Sequence, residues 1–196
     1  MDLVPRVTNI LTKPKQEWPV IAGESTDVAT LYKEYIVLLA AVPAICSFIG
    51  MTVIGIPIPF FGTYRASVGT GLTNLGVRYI LSLAAAYVAA FIIEKLAPTF
   101  RSSGSTVQAL KLVAYASTPA WVAGVVGLFP PLAVLGILAG LYGIYLFYLG
   151  LPPVMQTPGD KVIPYMLVSA IIIVVLYLVV GAITTSVAGV GMTARY

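Results

Sequence analysis

Residues 112–159 read LVAYASTPAWVAGVVGLFPPLAVLGILAGLYGIYLFYLGLPPVMQTPG, and none of them carries a charge. A helix needs about 20 apolar residues to cross the hydrocarbon core of a bilayer, so this run is too long for one crossing. Pro130 and Pro131 stand in its middle, and proline removes a hydrogen-bond donor and disfavours helix in the residue before it. The run therefore predicts two membrane spans, at 112–127 and 132–149, joined by a tight hairpin.

Three further apolar stretches flank this pair, at 35–56, 75–96 and 165–185. The charges of 75–96 lie near its two ends, where long side chains reach the membrane interface by snorkelling. In lipid every backbone group must be hydrogen-bonded internally, so each stretch is predicted to be a helix. We therefore predict an all-α membrane protein, a bundle of five transmembrane helices with a short amphipathic N-terminal segment.

The composition agrees with this class and excludes several others. Of 196 residues, 59% are hydrophobic and 9% charged, whereas a soluble domain carries roughly 25% charge. The chain has no histidine and one cysteine, Cys46, which excludes a Ser-His-Asp triad, His or Cys metal sites and an intrachain disulfide. Paired aspartates within the spans and a nucleotide-binding glycine loop are also missing. We predict a non-enzymatic protein with no catalytic, cofactor or metal residues, whose partner is the lipid bilayer and not nucleic acid.

Residues 1–30 are predicted to form a cytoplasmic N-terminal segment, and residues 31–196 the membrane domain. Apolar residues recur at helical spacing in this segment, namely Leu3, Val4, Val7, Ile10 and Leu11. An amphipathic helix of this kind either lies in the membrane interface or packs on the bundle. The sequence leaves both alternatives open.

The basic residues orient the chain. Five spans put the termini on opposite sides, and the side richer in Lys and Arg is cytoplasmic. Of the 11 basic residues, all but Arg65, Arg78 and Arg195 fall on the N-terminal side, together with all 7 acidic residues. We therefore predict a cytoplasmic N-terminus and an outer C-terminus.

Four ionisable residues lie at the predicted cytoplasmic ends of the first three spans: Glu34, Glu94, Lys95 and Lys111. They form either an ion-paired cluster or an interfacial belt of snorkelling charges. Glu94 is predicted to lie nearer the hydrocarbon than Glu17, with Lys95 or Lys111 as its partner. We therefore expect Glu94→Ala to destabilise the bundle more than Glu17→Ala.

Polar and helix-bending residues mark the third and fourth spans. Pro119 follows a Ser-Thr pair and is predicted to bend its helix, which either opens a polar niche or only shapes the span. Tyr142 and Tyr145 are predicted to form a polar seam with Tyr115, and the tyrosines either line a cavity or satisfy one another in a core.

Small residues recur at four-residue spacing in three spans, and such spacing lets helix backbones approach closely in lipid. The sets are Ser82, Ala86 and Ala90, then Ala116, Ala120 and Gly124, and finally Gly136 and Gly140. They pack either within one subunit or between subunits of a homo-oligomer.

Several stretches resemble the Yip-one (Yip1) domain family, specifically its prokaryotic members. They are QALKLVAYASTPAW at 108–121, GLFPP at 127–131, LAGLYGIYLFYLGLP at 138–152, MQTPGDK at 155–161 and the opening ILTKPKQEW at 10–18. The resemblance implies a five-helix domain in the cytoplasmic (inner) membrane of a prokaryote, with the N-terminus inside. Eukaryotic relatives contact prenylated Rab GTPases, and their Asp-Leu-Tyr-Gly-Pro motif matches this chain only at Leu31 and Tyr32. What carries over is fold and topology, not a mechanism.

Two functions are compatible with these observations. The first is a protein that binds a partner, such as another membrane protein, or organises membrane through its charged cytoplasmic face. The second is a carrier or channel for a small solute or ion, with a path between spans three and four beside Pro119 and the tyrosines. A continuous polar cavity between those spans would favour transport, and a solid apolar core would favour a scaffold.

Overall fold

The computed structural model describes residues 2–58, 60, 62–129, 132 and 134–193. Within these residues, five helices are long and apolar enough to cross a membrane. They are the first span (Val28–Ile54), the second (Val68–Phe100), the third (Thr106–Leu128), the fourth (Val134–Met155) and the fifth (Gly159–Ser186). The predicted all-α bundle of five spans is therefore confirmed.

Most helices extend beyond the predicted spans of 35–56, 75–96, 112–127, 132–149 and 165–185. The reason is that an uncharged window marks the part in hydrocarbon, whereas the helix continues through the charged residues at its ends. The third span ends at Leu128 and the fourth begins at Val134. Pro130 and Pro131, on which the predicted hairpin depends, lie outside the described residues.

Two short helices precede the first span, and we call them together the N-terminal hairpin: α1 (Leu3–Thr12) and α2 (Pro14–Gly23). Pro14 begins α2, a position at which its missing N–H costs the helix nothing. Ile10, Trp18 and Ile21 are buried in one core that includes residues of all five spans. The N-terminal segment thus packs on the bundle, while the division of the chain at residue 30 stays a prediction.

The first and second spans are joined by two short antiparallel strands, β1 (Ile56–Ile58) and β2 (Gly62–Tyr64), with Ile56 paired to Tyr64. It lies at the opposite end of the bundle from the entry of the first span. We call the end carrying the β-strands the far end, and the end carrying the N-terminal hairpin the hairpin end.

The third span is the centre of the bundle. Of its most apolar window 61% is buried within the protein, compared with 6% for the fifth span. The third and fourth spans approach closely, since a Cβ added at Gly143 would lie 2.8 Å from the Ala116 carbonyl oxygen. A Cβ added at Gly136 or Gly140 would meet nothing within 4 Å. Those two glycines therefore do not pack against the described part of their own chain, and the subunit interface stays a prediction.

Candidate functional site

The most concentrated polar cluster surrounds Arg6 on α1, which is only 8% exposed. Its guanidinium pairs with the carboxylates of Glu17 on α2 and Glu24 just after α2. It also lies 5.8 Å from the ring centre of Tyr115 on the third span, a favourable cation–π geometry. A buried cation needs such partners, because its hydration is lost. The pairs tie α1 to α2 and to the third span.

Lys111 fastens the same hairpin to the third span from the other side. It is 2% exposed, and its Nζ donates to the carbonyl oxygens of Ile21, at 2.9 Å, and Glu24, at 2.5 Å. These carbonyls lie at and just beyond the C-terminal turn of α2, where backbone acceptors lack helical donors and attract a cation. Lys111 therefore closes the end of α2 and positions the connection that follows it.

A column of aromatic and hydroxyl groups continues from Arg6 into the bundle. The Tyr115 ring packs against Trp18, at 6.3 Å between ring centres, and against Tyr35, at 4.6 Å. The Tyr35 hydroxyl lies 2.6 Å from Thr118 Oγ1, and Thr118 donates to the Ala114 carbonyl at 3.3 Å. The tyrosine hydroxyl is therefore the donor to Thr118. The column ends in satisfied hydrogen bonds.

A cleft of about 570 Å³ opens beside this cluster, between the N-terminal hairpin and the start of the first span. Its lining includes Asp2, Arg6, Glu17, Glu24, Glu34 and Tyr115. Four carboxylates thus face one guanidinium, and that guanidinium is already engaged by two of them. The cleft is therefore acidic and attracts cationic groups.

The four predicted end charges do not share one cluster. Glu94 accepts a hydrogen bond from the Thr106 hydroxyl, and the exposed Lys95 ammonium lies 3.7 Å from it. Lys111 binds the end of α2, and Glu34 lines the cleft. Of these four residues, Glu94 and Lys95 lie beside each other as a pair. Lys111 reaches α2 because the N-terminal hairpin packs on the third span, which helix spacing does not reveal.

The predicted tyrosine seam is divided between two environments. The Tyr142 hydroxyl donates to the Leu11 carbonyl oxygen at 2.8 Å, and so holds the end of α1 on the fourth span. The Tyr145 ring lies 5.7 Å from that of Tyr142 and is 42% exposed. Tyr115 belongs to the column described above. Pro119 lies inside the third span, next to Thr118, and is buried.

A second cavity lies between the third, fourth and fifth spans. It has a volume of about 490 Å³ and is lined almost entirely by apolar groups such as Ala120, Gly140, Ile144 and Phe147. A polar solute finds few partners in such a groove.

The Yip1 domain matches residues 8–183. The chain belongs to the Yip1 domain family. It is 30% identical over 158 residues to the inner membrane protein YohC of Escherichia coli K12, which covers 79% of this chain and 81% of YohC. The same values hold for YohC of E. coli O6:H1. No solved structure matches the chain.

These findings confirm the prokaryotic Yip1 resemblance and support a multi-pass location in the inner membrane. The orientation of the termini stays a prediction. At the two positions that match the eukaryotic Yip1 motif, Leu31 is 2% exposed and the Tyr32 hydroxyl donates to the Leu83 carbonyl oxygen at 2.7 Å. Both residues therefore hold the first span in the bundle.

Sequence reasoning about this Yip1-family chain missed Arg6, Glu17, Glu24 and Tyr35. The available signal was Pro14, which starts a new helix after a break and lets α2 fold back along α1. Among the described residues, no group of three or more Cys, Asp and Glu is placed to hold a metal ion.

Proposed function

We propose that this chain is a non-enzymatic membrane protein that binds a positively charged segment of a partner protein in the cleft at its hairpin end. The observation that carries the proposal is the charge of the lining, where four carboxylates accompany one guanidinium among the described residues. Arg6 is engaged by Glu17 and Glu24, so it offers little repulsion to an incoming cation. Complementary charge steers such a partner and fixes its register.

The chemistry of the cleft supports binding more than catalysis. General acid–base work needs a group with a suitable pKa and access to a reacting atom. Glu17 is held in a buried ion pair, and the cleft contains neither histidine nor cysteine. Asp2, Asn9, Thr26 and Thr30 provide instead a polar rim suited to a peptide backbone and side chains.

The transport alternative has weaker support. A path between spans three and four has to pass Gly143, where the backbones are in close contact. The neighbouring cavity is apolar, and Tyr142 is engaged with Leu11. Flux of a solute through liposomes that is abolished by Tyr142→Phe with Tyr145→Phe would favour the carrier over a binding protein.

A photo-crosslinking residue at Asn9, inside the cleft, tests the proposal in native membranes. We expect a discrete crosslinked protein whose yield falls several-fold when Asp2→Asn and Glu34→Gln neutralise the lining or when salt is raised. The matched control places the same residue at Thr73, an exposed position near the far end, where no such product is expected. A product that survives neutralisation would contradict the charge basis, and turnover of a substrate by the purified chain alone would contradict the non-enzymatic role.

A further inference from the structure

Arg78, on the second span, lies at the junction of two crevices near the far end. One crevice, of about 190 Å³, is lined by Ser47, Asn74, Thr184 and Thr185 as well as Arg78. The other, of about 290 Å³, shares Arg78 and the two threonines and adds Ser82 and Tyr177. The first and fifth spans form the facing walls. Polar side chains from three spans thus line the same crevices as Arg78.

No Asp or Glu of the chain is close enough to neutralise this cation. Neither crevice contains an acidic residue. All 7 acidic residues of the sequence lie toward the hairpin end, either in the segments outside the spans or in the last turns of the spans at that end. Glu94, on the same helix, is 16 residues away, which corresponds to about 24 Å along the axis. Arg65, the other described cation of the far end, donates to the Val53 carbonyl oxygen at 2.9 Å. The Arg78 side chain is exposed, and no carboxylate of the described residues neutralises it, so its guanidinium is available to an external anion.

Asn74 adds an independent sign of a ligand. It lies one helical turn before Arg78 on the same face, and its Oδ1 is buried without a hydrogen-bond partner among the described residues. Thr184 and Thr185 line the crevice, and their hydroxyls already donate to carbonyls of their own helix, so toward a ligand they can act only as acceptors. An anion that also carries hydroxyl donors would satisfy Arg78 and these acceptors together.

The depth of Arg78 indicates the source of the anion. Lys95, at the hairpin end of the same helix, is 17 residues away, or about 26 Å. This distance is close to the roughly 30 Å thickness of the hydrocarbon core. When Lys95 lies at one interface, Arg78 therefore lies at the level of the phosphates and glycerols of the opposite leaflet. The crevice walls beside it are apolar, including Phe48, Met51 and Val180, and match acyl chains.

We propose that Arg78, with Asn74 and the threonines of the fifth span, binds the phosphate of an anionic phospholipid bearing headgroup hydroxyls, such as phosphatidylglycerol. Arginine binds phosphate through a planar fork of N–H donors, which a single ammonium group lacks. The inference does not depend on the cleft at the hairpin end, which lies on the other side of the membrane.

The test measures lipid retained by the purified full-length chain after delipidation in detergent, by native mass spectrometry, with phosphatidylglycerol and phosphatidylcholine supplied in equal amounts. We expect wild type to retain phosphatidylglycerol selectively and Arg78→Gln to retain about tenfold less or lower, as the loss of one charge-assisted pair implies. Arg78→Lys is expected to be intermediate, and the matched control Arg65→Gln to resemble wild type. Correct folding of each variant is checked by its elution from a sizing column.

A second measurement separates the two sources of phosphate. Inorganic phosphate at millimolar concentration is added during delipidation, and we expect it to leave the retained lipid unchanged, because it lacks acyl chains. Displacement of the lipid by inorganic phosphate would assign the site to the free anion and overturn the lipid proposal. Equal retention of both lipids, or equal losses in Arg78→Gln and Arg65→Gln, would also overturn it.

Discussion

The two ends of this bundle differ in how their cationic side chains are compensated. At the hairpin end, the cations Arg6 and Lys111 are buried, and carboxylates or backbone carbonyls of the same chain compensate them. At the far end, Arg78 lines open crevices in which the described residues provide no carboxylate. Large apolar side chains are exposed there, including Val53 and Leu72. The buried cations of the hairpin end are thus compensated within the protein, whereas Arg78 at the far end has no described carboxylate beside it.

This difference locates the stability of the fold. The four largest fully buried side chains, Trp18, Tyr35, Tyr115 and Tyr165, lie in the hairpin half of the bundle. A membrane span needs no buried core where lipid covers it, since lipid tails are as apolar as a leucine side chain. Substitutions at the hairpin end should therefore change the stability of the isolated chain, whereas those at the far end should act mainly by changing contacts with lipid.

The strongest test of this comparison is Arg6→Ala. It leaves the buried Glu17 carboxylate without its cation, and breaking a buried pair costs about 3 kcal/mol or more. The matched substitution at the far end, Arg65→Ala, removes one exposed hydrogen bond and should cost about 0.5 kcal/mol. Unfolding in detergent with added denaturant measures both free energies. Equal losses of unfolding free energy would show that the two ends contribute equally to the stability of the chain.

The second test compares two acidic residues of the hairpin end. Glu17 is buried against Arg6, whereas Glu94 is partly buried and its cation Lys95 is exposed. From the structure we expect Glu17→Ala to cost about 2 kcal/mol and Glu94→Ala about 1 kcal/mol or less. This order reverses the expectation from sequence, which overlooked the packing of α2 on the third span. A larger decrease in the detergent melting temperature for Glu94→Ala than for Glu17→Ala would support the order predicted from sequence.

Sequence predicted those features that the bilayer dictates. Five spans follow from uncharged length, because lipid admits only internally bonded helices. Contacts between helices could not be predicted from the sequence. Gly140 and Gly143 are both glycines of the fourth span, yet of these two only Gly143 packs against Ala116. The cluster at Arg6 depends on how α1 and α2 dock, a long-range event without local periodicity. Lys111 was identified as a site residue, but its partners on α2 were not.

That pair of glycines provides the third test, within a single span. Gly143→Ala places a methyl group against the backbone oxygen of Ala116, and overpacking of this kind costs about 1–2 kcal/mol. Gly140→Ala meets no neighbour and should be neutral or stabilise by about 0.5 kcal/mol through helix propensity. Thermal unfolding in detergent distinguishes them. An equal loss in Gly140→Ala would reveal a partner on that face, as expected for a second copy of the chain.

The smallest effect concerns helix caps and pH. At the hairpin end, Asp27 caps the first span by accepting from the Thr30 N–H at 2.7 Å. At the far end, Ser67 caps the second span by accepting from the Thr70 N–H at 3.2 Å. The hydrogen bond from Thr30 holds the pKa of the Asp27 carboxyl below its ordinary value. Only the first of these caps can titrate.

Because the folded-state pKa of Asp27 is lowered, its capping contribution is complete above the unfolded pKa and is lost as the pH falls through the folded one. Below about pH 4, therefore, the Thr30 amide should lose protection from hydrogen exchange, after correction for intrinsic rates, while the Thr70 amide keeps its protection. Asp27→Asn retains a cap that does not titrate, so it should remove the pH dependence at Thr30. If Thr30 loosened in acid to the same extent in that variant, the cause would lie outside the Asp27 cap.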